Sequence, residues 1–245
     1  MQRGGGARVA ELAQRLEVTE ETIRRDLDTL AASGHVVRRH GGAVPAAGRE
    51  RELPHAERKR QNPREKEAIA RAAAAAVRPH QTVLLDASST ALFLAQHLPD
   101  QEQTVVTNSL LVAGALARHA HTRVVLAGGT LFKPSLSFLG PAAEQALRGY
   151  RADLLFFSAR GLDVEWGLSD ANEQQAALKR VMIEQSARRI VMADHSKFGI
   201  RAPDQVAVWK GLHEVITDAE APAAGVARLE RLGLKVTQVS TRRRG

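Results

Sequence analysis

The stretch VTEETIRRDLDTLAASGHVVRRHGGAV, residues 18–44, decides how the amino-terminal part of the chain is read. Within it Ile23, Leu27 and Leu30 recur at helical spacing, one apolar stripe on an otherwise polar segment. Thr19 suits the N-cap, and Glu20 and Glu21 stand at the positive end of the helix dipole. Ser33-Gly34 closes the helix, because glycine takes the left-handed C′ position readily. Beyond it, two valine-containing runs flank Gly41-Gly42, a hairpin signal.

Upstream of that stretch, Val9, Leu12, Ala13 and Leu16 fall at i, i+3, i+4 and i+7 and predict a second amphipathic helix. Glu17-Val18 makes a tight turn between the two, with one residue of buried type. Helix, turn, helix, hairpin is the order of a winged helix-turn-helix, placed here at residues 1–44. With Ile23, Leu27 and Leu30 turned inward, Thr22, Arg24, Arg25 and Thr29 face outward and Thr19 stands at the helix entry. A recognition helix carries such residues into the major groove, where Arg bonds a guanine edge through two donors. Arg38, Arg39, His40, Gly41 and Gly42 on the hairpin would meet phosphates or the minor groove. Each arginine alone is as well explained as solvated surface. In this order, with 12 Lys and Arg against 9 Asp and Glu over residues 1–60, they point to double-stranded DNA.

Downstream, residues 45–64 are charged and broken by Pro45, Pro54 and Pro63, and read as a linker with scope to dock on the body. From Glu65 the pattern changes. A helix through Ile69 and the alanines Ala72 to Ala76 is followed by short apolar runs alternating with helical stretches. The runs are Thr82–Leu85, Thr104–Val106, Val124–Leu126, Leu154–Phe157, Ile190–Met192, Val215–Ile216 and Lys235–Val239. Apolar strands separated by helices predict an α/β, Rossmann-like, mostly parallel sheet covered on both faces, over residues 65–245.

Five of those runs end in small or polar residues, as a ligand crevice beyond the carboxyl ends of the strands requires. Asp86, Ser88, Ser89 and Thr90 follow the first, Thr107-Asn108-Ser109 the second, Gly128-Gly129 the third, Ser158 to Gly161 the fourth, and Asp194 to Phe198 the fifth. The hydroxyls of Ser88, Ser89 and Thr90, with the amides of a following helix, would hold a phosphate, and Lys179 or Lys197 would supply countercharge. The same residues serve equally as ordinary N-caps. No Walker loop or dinucleotide fingerprint is present.

The formal charge is +8 over 245 residues, and 44% of residues are hydrophobic, enough for a sizeable core. Cysteine is absent, which excludes disulfides, thiolate metal sites and thiol catalysis and fits a cytoplasmic protein. No membrane-spanning run or signal peptide is visible. The histidines are scattered without metal-like spacing, so neither a metal nor a cofactor is expected. Asp86, Asp163 and Asp194 suit acid–base work or the binding of sugar hydroxyls.

These residues together resemble the DeoR family of bacterial transcription regulators. The head carries the likeness in Val9 to Ala13, Val18 to Leu27 and Arg39 to Ala43. In the body it lies in Glu65-Lys66, Leu85-Asp86, Val106 to Ser109, Gly128-Gly129, Gly140-Pro141, Ala177 to Lys179 and Ala193 to Gly199. The resemblance implies a sensor similar to ribose-phosphate isomerase and CoA-transferase folds, a phosphorylated sugar effector and a homo-oligomer on repeated operator sites. Release from the operator by that effector would make the protein a repressor of carbohydrate genes. It further implies a pocket lined by Asp86, Ser88, Ser89, Thr90, Thr107, Asn108, Gly128, Gly129, Gly161, Lys179 and Lys197. Two features depart from the family pattern. A complete helix normally precedes the position of Val9, so the head is expected to lack its first helix, and glycine usually stands where Ser88 does. The rival reading is a sugar-phosphate isomerase with a basic extension, using Asp86 or Asp163 as general base.

Overall fold

The computed structural model describes residues 7–32, 36–39, 41–45 and 52–241. The chain divides into two compact units, residues 1–51 and 52–245. In the first, strand β1 (Ala7–Arg8) leads into helix α1 (Val9–Leu16), then helix α2 (Glu20–Ala32) and the strands β2 (Val36–Arg39) and β3 (Gly42–Pro45). The strands form an antiparallel sheet in the order β1-β3-β2. Val9, Ala13, Ile23, Leu27 and Ala43 make the buried core, with Leu12 packed on it.

Three expectations for this unit change. Leu16, at the end of the predicted apolar stripe, is 61% exposed, and Val18 in the turn is exposed as well. Arg39 pairs with Gly42, so Gly42 is a strand residue and Gly41, at φ +78°, belongs to the turn before it. The Gly41 carbonyl also accepts from Val9 N (3.0 Å), tying the hairpin to the start of α1. Residues 1–6, where the family resemblance predicts a missing helix, and the predicted helix stop at Ser33-Gly34 lie outside the described residues.

The second unit opens with helix α3 (His55–Arg60) and helix α4 (Pro63–Ala74), so residues 52–64 are not linker but part of the body. Then β4 (Thr82–Leu85), α5 (Ser89–His97), β5 (Gln103–Thr107), α6 (Leu110–Leu116) and β6 (Thr122–Leu126) alternate. A hairpin of β7 (Thr130–Phe132) and β8 (Ser137–Leu139) precedes α7 (Pro141–Arg148) and β9 (Ala152–Phe157). Strands β10 (Gly161–Asp163) and β11 (Gly167–Asp170), α8 (Glu173–Glu184) and β12 (Ser186–Met192) come next. The chain ends with β13 (Asp204–Ala207), β14 (Glu214–Asp218), α9 (Ala223–Arg231) and β15 (Lys235–Val239).

The main sheet has seven parallel strands in the order β15-β14-β12-β9-β4-β5-β6. All seven strands expected from the sequence are in it. Side chains alternate between two cores, as the period of two demands. Val83, Leu85, Leu154, Phe156, Ile190 and Met192 join α4, α5 and α6 on one face. Leu84, Leu155, Phe157 and Val191 join α7 and α8 on the other. Unforeseen are the β7-β8 hairpin and a small antiparallel sheet, β10-β11-β13.

Chain order fixes where a ligand would enter. From β4 the chain moves outward to β5 and β6, then returns to place β9 on the other side of β4 and continues through β12, β14 and β15. The direction reverses between β4 and β9, so their connections leave in opposite directions and open a crevice at their carboxyl ends.

Candidate functional site

A narrow cleft with about 40 Å3 of free space stands at that reversal. Ser88, Ser89 and Thr90 after β4 line it, with Ser158, Ala159 and Arg160 after β9 and Asp170 and Ala171 after β11. Lys197, on the turn after β12, also lines it. The remaining wall is Glu52, Leu53, Arg58 and Gln61, together with Lys66 of α4. Four cationic side chains thus face two carboxylates, an excess suited to an anion.

Beneath the cleft a buried charge cluster sets the shape of the two loops. Asp86, 1% exposed, accepts from Ser88 N (3.2 Å) and Ser88 Oγ (2.6 Å) with one oxygen and from Ser158 N (3.1 Å) with the other. Lys179 sits 3.3 Å from Asp86 and donates to Asp170 (2.6 Å) and to the Ser158 carbonyl (2.6 Å). Burial opposes its charge, but Asp170 and Asp86 outweigh burial and raise its pKa. Lys179 is therefore committed to two carboxylates and does not face the cleft; it holds the groups that shape it.

Ser88 has an ordinary φ of −77°, so no glycine is needed there. Its hydroxyl donates to Asp86 and accepts from Ala91 N (3.0 Å), capping α5. The amides and hydroxyls of Ser89 and Thr90 are left at the start of the helix, where the dipole favours negative charge. Burial pushes the Lys197 ammonium down from its ordinary pKa and that of Lys66 to about 8. Both would regain charge stability from an anion. Asp194, which receives N–H and O–H from Ser196 and Asn62 Nδ2 (2.8 Å), braces the Lys197 turn. Burial disfavours the Asp194 carboxylate, yet Ser196, Lys197 and Asn62 hold its pKa below normal.

Of the eleven residues expected to line the pocket, the cleft gathers Ser88, Ser89, Thr90 and Lys197, with Asp86 and Lys179 directly below. The other five lie elsewhere. Thr107 Oγ1 accepts from Ser109 N (3.0 Å) in the turn that starts α6. Asn108 donates to the Phe138 carbonyl (3.2 Å), joining that turn to β8. Gly129, at φ +125°, comes so close to β8 that a Cβ would stand 2.7 Å from Leu139 O, and Gly128 beside it is exposed. Gly161 is buried against the Ile200 backbone, where a Cβ would collide. Gly129 and Gly161 serve packing, whereas a Cβ at Gly128 would meet open space. Sequence reasoning missed Glu52, Arg58, Gln61 and Lys66 as site residues; the run Glu57 to Arg60 carried the signal but read as a linker with scope to dock on the body.

Asp163 lies away from the cleft. It anchors the β10-β11 turn through Glu165 N (2.9 Å) and Trp166 N (2.8 Å) and pairs with Arg201 (3.0 Å). The fold also joins a histidine to two carboxylates, an arrangement invisible in linear spacing. Asp218 accepts from His195 N (2.7 Å), His195 Nδ1 (3.0 Å) and Glu220 N (3.0 Å), with Glu220 Oε2 3.8 Å from Nε2. Asp218 thus accepts three N–H groups and orients the His195 ring, a hydrogen-bonded pair that carries opposite charges when the ring is protonated.

On the first unit, Thr19 caps α2 by accepting from Thr22 N (3.2 Å). At about 100° per residue, Thr22, Arg25 and Thr29 share one exposed stripe, opposite Ile23 and Leu27. Arg24 lies off that stripe, paired with Glu20 (2.6 Å) and 3.6 Å from Glu21. Arg38 and Arg39 are strand residues of β2, and His40 lies outside the described residues.

A helix pair with a small sheet, its second helix presenting exposed polar side chains, and a parallel α/β body with a cation-rich cleft fit a two-unit DNA-binding regulator. The DeoR-like helix-turn-helix domain matches residues 1–47, and the DeoR C terminal sensor domain matches residues 61–219. The chain belongs to the DeoR family of transcription regulators. It is 44% identical to the uncharacterized HTH-type transcriptional regulator YulB of Bacillus subtilis, over 97% of this chain and 92% of that protein. It is 35% identical to the L-fucose operon activator of Haemophilus influenzae, over 89% of this chain and 88% of that protein. Among solved structures, ribose 5-phosphate isomerase A from Methanocaldococcus jannaschii matches 54% of this chain and 53% of its own, with 15% identity and a TM-score of 0.41. Among the described residues no helix is long and apolar enough to cross a membrane.

Proposed function

We propose that the protein is a cytoplasmic repressor of carbohydrate genes that binds its operator as a homo-oligomer and leaves it when a phosphorylated sugar enters the body cleft. The observation that carries the sensing half is the excess of cations around the Ser89 and Thr90 amides at the strand reversal. The phosphate would lie at the start of α5, near Lys66, Arg160 and Lys197, with Asp170 and Glu52 accepting from sugar hydroxyls. The carboxylates Asp86 and Asp163 do not suit an isomerase base, since one is buried under N–H donors and the other is outside the cleft. Operator contact falls to Thr22, Arg25 and Thr29, with the β2-β3 hairpin beside them. A sugar phosphate releases the operator only if it binds the DNA-incompetent arrangement better.

The test is a gel shift of the full chain on its own upstream DNA, with and without hexose and pentose phosphates, beside a reporter for the sign of control. Retention at low salt and release by one sugar phosphate are expected. No retention at low salt refutes the reading, and turnover of a pentose phosphate would replace it with the enzyme.

A further inference from the structure

The wall of the cleft made by residues 52–61 comes directly after the head in the chain. Several bonds hold this strap to the body. At its start, His55 N donates to the Pro134 carbonyl (2.7 Å), and the buried His55 ring lies beside the backbone of Ser88, the residue that caps α5. Burial and the neighbouring Arg58 and Lys59 push the His55 pKa down to about 4, so the ring is neutral. At the strap's end, the buried Lys66 ammonium donates to the carbonyls of Arg58 (2.6 Å) and Gln61, the last turn of α3.

Between these anchors the strap is incompletely satisfied. Arg58 Nη2 lies 3.2 Å from Glu52 Oε1 without the alignment of a hydrogen bond. That nitrogen, Glu52 Oε2 and His55 Nε2 are buried with no hydrogen-bond partner among the described residues. Buried polar atoms without partners are rare and unfavourable. Here Glu52 and Arg58 border a cleft, so an occupant can supply what they lack.

We propose that residues Glu52 to Gln61 are the transmitter of the regulator: the ligand completes the Glu52 and Arg58 bonds, and fixing the strap is what alters the head. The inference rests on the sugar-phosphate reading of the cleft. A phosphate near Lys66 keeps that ammonium charged, and the charged ammonium grips the strap's last carbonyls. A hydroxyl-bearing body replaces the imperfect contact between Glu52 and Arg58. Occupancy is thereby written into the segment that opens the body.

The experiment is hydrogen exchange and operator binding on the full chain. The probes are inorganic phosphate and a panel of hexose and pentose phosphates, compared between wild type and the Glu52→Gln, Arg58→Met double variant. In wild type, the active sugar phosphate slows exchange both in the first turn of α5 and across residues 52–61, and operator affinity falls by about tenfold or more. Because Glu52 and Arg58 also line the cleft, the double variant is compared at saturating sugar phosphate: α5 is then protected as in wild type, though at a higher concentration, but strap protection and release are lost. Its melting temperature changes little, because unpartnered buried atoms are removed while the bond from Arg58 Nε to the Leu53 carbonyl (3.1 Å) is lost; a residue needed only for folding would lower it by many degrees. Should the double variant fold poorly, Arg58→Lys keeps the charge without the planar fork, and release is then weakened rather than abolished.

Protection confined to α5, or normal release of the double variant, overturns the strap. If no probe protects either segment, the anion reading of the cleft has failed and the strap falls with it.

Discussion

Replacing Lys179 with Met separates a structural cation from a ligand-binding one. Met matches the length and packing of the stem but removes the charge shared by Asp86 and Asp170 and the donor to Ser158 O. Breaking a buried ion pair by removing one partner costs about 3–5 kcal/mol. For a body of this size each kcal/mol lowers the melting temperature by about 2–4 °C, so a drop of roughly 6–20 °C is expected. Asp86→Asn, measured alone and combined with Lys179→Met, closes a double-mutant cycle. The double variant should lose less than the sum of the singles, because the attraction between Asp86 and Lys179 is already lost in each single. The raised Lys179 pKa gives the sign of the pH effect. Its contribution is complete below the ordinary lysine value of 10.5 and is lost only as pH rises through the higher folded value, so the deficit is constant across neutral pH. Urea denaturation followed by circular dichroism measures it. A Lys179→Met protein as stable as wild type that no longer responds to any sugar phosphate would refute the assignment and return Lys179 to the ligand.

Arg25→Ala should weaken specific operator binding by about 1–3 kcal/mol and non-specific binding less, while Arg24→Ala, already paired with Glu20, does less; fluorescence anisotropy on operator and scrambled DNA reads both. Anion affinity measured by calorimetry should fall as pH rises through about 8, where Lys66 loses its proton, and a Lys66→Met protein should show a flat profile; a steep profile in that variant would exclude Lys66 as the titrating group. Burial lowers the His195 pKa, but Asp218 outweighs it and the net shift is upward. Stability from that pair is therefore complete below the ordinary value of 6.5 and lost as pH rises through the folded value, a slope that His195→Asn removes in urea melts. Gly129→Ala meets both a positive φ and the Leu139 carbonyl, so it should destabilise by about 1–3 kcal/mol and leave ligand affinity per folded molecule unchanged, as a thermal-shift titration reports.

The seven-stranded sheet was legible because strands buried on both faces must be continuous apolar runs, and Leu154 to Phe157 and Ile190 to Met192 have no other use. Strands β10, β11 and β13 were not, since Gly161, Asp163, Gly167 and Asp204 carry the composition of turns. Half of the site showed in the residues at the strand ends. Its other wall was hidden because Glu52, Arg58 and Lys66 are charged, and charge in a Pro-broken segment reads as solvent exposure. Only tertiary contact discloses that their carbonyl, carboxylate and ammonium partners lie in the body. Lys179 was expected as countercharge for a phosphate, but Asp86 and Asp170, more than eight residues away in sequence, already neutralise it.

The reversal of strand order also sets a schedule. Head, strap and β4 precede β9 in the chain, yet the cleft exists only once β9 has inserted beside β4, across the 72-residue separation that joins Asp86 to Ser158. A nascent chain emerging from its amino terminus therefore owns its DNA-reading surface well before it owns a place for the effector. Folding order makes the young protein deaf before it can be told to let go.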